Sequence, residues 1–124
     1  MDKRDKLTGR VREIVDRLPG FRVDSVGSGR RYPYMKTKRK NINILVSHSD
    51  GEDWIGVAAI GERAKDELYR GKTTWENRGY KLQQKTRDSH KQNITFRKKF
   101  SIPVTGGIKK EMIDAFNDLK KWLG

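Results

Sequence analysis

Residues 30–40 read Arg-Arg-Tyr-Pro-Tyr-Met-Lys-Thr-Lys-Arg-Lys, and this run carries the most directed chemistry in the chain. Arg30, Arg31, Lys36, Lys38, Arg39 and Lys40 are cationic, Tyr32 and Tyr34 are aromatic, and no acid lies among them. Cations of this kind meet phosphate oxygens, and flat rings stack on nucleobases at on the order of 1–3 kcal/mol per base. Tyr32 and Tyr34 alternate around Pro33, so an extended backbone turns both rings the same way. The competing reading is a solvated loop whose tyrosines cap the core.

A second cationic group lies late in the chain. Ile94, Phe96, Phe100, Ile102 and Val104 share one parity, broken by Lys98, while Thr95, Arg97, Lys99 and Ser101 share the other. This pattern predicts a long strand with one apolar face and one face that shows water Arg97 and Lys99. Lys85, Arg87 and Lys91 precede it in a polar loop. Such a face suits phosphate, although lysine also guards exposed sheet edges against pairing. A third group is Gly106-Gly107-Ile108-Lys109-Lys110. Lys109 and Lys110 open a helix at the end where the dipole disfavours cations, and free amides beside glycines there suit an anion. The plain alternative is two exposed lysines at a small cost.

A lysine pair opening the last helix, after a sheet that follows an amphipathic first helix, resembles the arrangement in double-stranded-RNA-binding domains. The likeness covers about ten residues plus the order of elements. It implies a backbone-contacting role for Lys109 and Lys110. The histidine-bearing loop of that family has no evident match here, and residues 62–92 have no counterpart in its compact form.

Catalysis has one weaker candidate. His48, Asp50, Glu52 and Asp53 fall close together at an expected hairpin tip, and carboxylates at such spacing can hold Mg²⁺ beside a phosphate in a nuclease. Turns favour Asp and Gly for backbone reasons alone, and His48 shares the parity of Ile42, Ile44 and Val46, which suits packing at a strand end. Gly27-Ser28-Gly29 lacks the following Gly-Lys-Ser/Thr and helix of a phosphate-binding loop. Trp54, Trp75 and Trp122 are read as core residues, with Trp75, which lacks an apolar pattern around it, the one candidate for exposure. No cofactor is called for.

The whole chain supports a polyanion partner. It has 124 residues and a formal net charge of +13. Residues 30–48 hold six basic side chains and no acid, and residues 69–100 hold ten against Glu76 and Asp88. Residues 49–68 reverse the sign, with six acids against Arg63 and Lys65. A field this uneven is best tolerated when a polyanion neutralises it. With no cysteine there is no disulfide and no thiol nucleophile. No apolar run approaches the roughly 20 residues that span a bilayer, so a cytoplasmic protein with no membrane partner is expected.

The positioning elements follow from periodicity. Leu7, Val11, Ile14, Val15 and Leu18 mark one face of a first helix, which Pro19-Gly20 ends. Phe21 to Asp24 alternates as a strand, and Pro33 makes the basic run a turn or edge segment. Residues 41–48 and 54–60 predict two strands joined across an acidic turn, 62–70 a short helix, Tyr80 and Leu82 a strand, and Ile108 to Leu123 a final amphipathic helix. The expectation is a single α+β domain, 1–124, with an antiparallel sheet of about four strands and the N- and C-terminal helices packed on one face. The expected function is a small DNA- or RNA-binding protein that grips the backbone electrostatically and adds tyrosine contacts. The alternatives are an inhibitor or adaptor that uses the basic surface on an acidic protein, and a metal-dependent nuclease.

Overall fold

A computed structural model describes residues 2–27, 31–84 and 93–124. The order is α1 (Gly9–Arg17), β1 (Ser25–Val26), β2 (Pro33–Lys36), β3 (Ile42–Ser49), β4 (Glu52–Ile60), α2 (Glu62–Arg70), α3 (Lys72–Asn77), β5 (Lys81–Gln84), β6 (Asn93–Ser101) and α4 (Lys110–Leu123). The strands form one antiparallel sheet in the order β1-β2-β3-β4-β6-β5. The α+β class is as expected, but the sheet has six strands where about four were expected. The basic run supplies one of the additions. Pro33 opens β2, where its missing N–H costs least, and the rest of that strand pairs with β3.

The β3–β4 hairpin sets the register of the sheet centre. Ser49 pairs with Glu52, which leaves Asp50-Gly51 as a two-residue turn. Both have positive φ, 53° and 72°. That is the type I′ geometry whose twist matches the flanking strands, and Asp-Gly is a preferred sequence for it. From this turn Ile42, Ile44 and Val46 face the same side as Ile55, Val57 and Ala59, and β6 adds Ile94, Phe96 and Phe100.

All four helices close over that side. Ile14 and Val15 of α1, Ala64 and Leu68 of α2, Trp75 of α3, and Met112, Phe116, Leu119 and Leu123 of α4 join one core cluster. Phe96 at its centre is fully buried, and its truncation to alanine should cost about 3–5 kcal/mol. Trp75, the tryptophan without an apolar pattern around it, also belongs to the core. It is buried, with its ring 4.3 Å from Trp122 and 6.0 Å from Phe96. It sits on α3, a helix of six residues whose pattern is too short to register as a period. The strand expected over 94–104 stops at Ser101, and Val104 is fully exposed. Pro103 follows, and its lack of an N–H suits the break. Residues 21–24 form no strand ladder, though Phe21 and Val23 are buried as their alternation predicted.

Candidate nucleic-acid interface

Among the described residues, no helix covers the other face of the sheet. One row of paired residues crosses it completely: Ser25, Tyr34, Leu45, Gly56, Arg97 and Lys81, one from each strand. The adjacent row towards the Asp50-Gly51 turn is Ser47, Trp54 and Lys99. The row on the other side is Lys36, Asn43, Ala58, Thr95 and Gln83. Directly paired residues share a face, so Tyr34, Trp54, Lys36, Lys81, Arg97 and Lys99 lie on one surface. Glu52 is the one acid on the strands of this face among the described residues.

Arg97 organises the centre. Its guanidinium carbon lies 4.0 Å from the Trp54 ring centroid, a stacked cation–π contact. Gly56 makes room for it. A Cβ at position 56 would stand 2.5 Å from Phe96 O and 3.4 Å from Arg97 Cγ. Burial lowers the Arg97 pKa, and the nearby Tyr32 hydroxyl acts in the opposite sense. Tyr32 is exposed, whereas Tyr34 is half-buried, and burial first and Tyr32 second push the Tyr34 hydroxyl above its ordinary 10.0. Gly27 backs the Tyr34 ring and the Tyr32 stem, because a Cβ there would meet Tyr34 Cε2 at 3.0 Å and Tyr32 Cβ at 3.2 Å.

Local bonds hold the basic run in place. Asp24 accepts 2.7 Å bonds from Arg22 Nε and from the Lys36 backbone N–H, and donates its own N–H to Tyr34 O at 2.9 Å. The Arg22 guanidinium, ahead of that backbone bond, holds the Asp24 carboxyl below the usual range. In the β2–β3 turn Thr37 Oγ1 donates to Ile42 O at 2.7 Å and accepts from Arg39 N–H. That turn projects Lys38, Arg39 and Lys40 at the sheet end. Arg39 reaches Glu67 of α2 at 2.8 Å, and Lys38 lies against Gly124.

The expected cations therefore separate into groups. Tyr34, Lys36, Arg97 and Lys99 share the open face, with Tyr32 near Arg97. Arg31 is exposed ahead of β2, and Lys38, Arg39 and Lys40 form the turn at the sheet end. Lys109 and Lys110 stand at the start of α4, on the helical side. Lys109 is the N-cap residue, Lys110 Nζ is 4.0 Å from Asp114, and the carbonyls of Gly106 and Gly107 accept from Arg10. Arg30, Lys85, Arg87 and Lys91 lie outside the described residues.

The acidic cluster also divides. Asp53 belongs to β4, not to the hairpin tip, and is buried on the helical side. Arg10 grips it with Nε and Nη2, and His48 Nδ1 lies 3.0 Å from its Oδ1. Glu52 is on the opposite face, 4.0 Å from Lys99, and Asp50 is in the turn. Among the described residues, no group of three or more His, Cys, Asp or Glu could hold a metal.

Trp54 was missed as a surface residue because residues 54–60 read as one unbroken apolar run. A two-residue Asp50-Gly51 turn places Trp54 opposite Ser47, on the polar parity of β3, so the signal was present. No helix among the described residues is long and apolar enough to cross a membrane. Comparison with known proteins finds no match: no family model, curated protein or solved structure is similar to this chain.

Proposed function

We propose that this chain is a small nucleic-acid-binding protein that receives a polyanion on its open sheet face. The observation that carries the reading is the juxtaposition of Tyr34, Trp54, Arg97, Lys36, Lys81 and Lys99 on one helix-free surface with Glu52 as its described acid. Cations there meet phosphates, and rings meet bases or sugars. The net charge of +13 supplies long-range attraction. DNA and RNA are equally served by this chemistry.

A titration with nucleic acid at two salt concentrations tests the proposal. If about six phosphates are contacted, affinity should fall roughly a thousandfold between about 50 and 200 mM salt. Lys36→Glu with Lys99→Glu should weaken binding strongly at low salt. A flat salt response, or no binding at low salt, would leave the alternative of an inhibitor or adaptor for an acidic protein surface. Incubation with Mg²⁺ and labelled nucleic acid tests the nuclease alternative.

A further inference from the structure

The centre of the open face is built from aromatic rings and one arginine. Trp54 and Arg97 form the stack, and Tyr32 is near enough to affect the Arg97 charge. The cations Lys36, Lys81 and Lys99 stand around them. A second feature lies beside the stack. Ser47 pairs across the ladder with Trp54 on this face, is buried, and its Oγ has no hydrogen-bond partner among the described residues. A buried hydroxyl without a partner is destabilising, so an unmet polar group lies on the strand beside Trp54.

We infer that this face takes single-stranded nucleic acid, with an unpaired base laid against the Trp54–Arg97 stack. The inference rests on the nucleic-acid reading above and narrows it. Size decides against a duplex. Six strands spaced about 4.8 Å apart make a surface about 24 Å wide, while the major groove of B-DNA is about 12 Å wide. Trp54 on β4, one of the two central strands, therefore cannot enter a groove and would face only backbone. The π-faces of a duplex are also hidden in its own stack. A single strand presents them, and every base has one. Arg97 serves in both states. It covers the indole in the free protein, and beside a bound base it remains a cation layered on a ring or turned to phosphate.

The test compares a short oligothymidylate with a blunt duplex of matched phosphate count at low salt. The single strand should bind about tenfold more tightly or better. Trp54→Ala should weaken single-strand binding on the order of five- to a hundredfold and duplex binding by a clearly smaller factor. Trp54→Phe, which keeps a ring, should restore most of the loss. Tryptophan emission should be quenched by the single strand in the native protein and not in Trp54→Phe, because Trp75 is buried in the core and Trp122 packs against it on the helical side. Equal affinity for the two probes, with Trp54→Ala affecting both alike or neither, would overturn the single-strand assignment while leaving a general polyanion site standing. Absence of binding to both probes would remove that site as well.

Discussion

The Arg10 guanidinium of α1 holds the Asp53 carboxylate of β4 side-on, with Nε 3.0 Å from Oδ1 and Nη2 on Oδ2. The same arginine donates to the carbonyls of Gly106 and Gly107 in the loop before α4. One side chain thus ties the first helix, the sheet and the approach to the last helix. The Asp53 hydrogen bonds are the largest cause of a raised Arg10 pKa.

Removing Asp53 should therefore be costly. Asp53→Ala leaves the mostly buried Arg10 with only the exposed Glu13 as counter-charge and removes the His48 partner as well. A loss of about 3 kcal/mol is expected in denaturant unfolding. Glu52→Ala, next to it but on the open face, should be within about 0.5 kcal/mol of the native protein. Similar small effects for both would mean that the clamp contributes nothing.

Gly56→Ala should destabilise the sheet and disturb the interface together. A Cβ there stands 2.5 Å from Phe96 O, a backbone atom of the neighbouring strand, so the ladder must shift. The expected cost is on the order of 1–3 kcal/mol by thermal or denaturant unfolding. An unchanged melting temperature would show that β4 and β6 are not held at this spacing.

The two tyrosines of the basic run should behave differently. Tyr34 is half-buried over Gly27, and Tyr32 is exposed. Tyr34→Ala should lower the melting temperature by several degrees, whereas Tyr32→Ala should leave it nearly unchanged and reduce nucleic-acid affinity. Loss of stability from Tyr32→Ala alone would reverse these roles.

Asp24 provides a pH signature. Its folded carboxyl is held below 3.8, chiefly by Arg22. A depressed acid contributes stability that is complete above its unfolded pKa and is lost as pH falls through its folded value. Asp24→Asn should therefore melt lower than the native protein at neutral pH, and the gap should close as the pH falls through and below the ordinary carboxylate range. A gap of constant size across that range would show that the charge is irrelevant.

Ser47→Ala should stabilise the free protein. It removes a buried hydroxyl that has no described partner, so the free protein should gain up to about 1 kcal/mol. A stability loss instead would show that the hydroxyl is already satisfied.

Much of the fold was legible along the chain because its cause is local. The apolar stripes of α1 and α4, the alternation of β3 and β6, and the Asp50-Gly51 turn each follow from steric and hydrophobic preferences of a few successive residues. The cationic run and the helix over 62–70 were visible for the same reason. Other features needed partners distant in sequence. Asp53 looks like a turn acid until Arg10 arrives from α1. Trp75 looks polar in context until Trp122 and Phe96 enclose it, and Trp54 looks like core until β6 brings Arg97 across Gly56 to cover it. Side-chain type and spacing determine which face of an element is apolar. Only the pairing of strands and the seating of helices decides which face water keeps, because burial is a property of the assembled sheet rather than of any one segment.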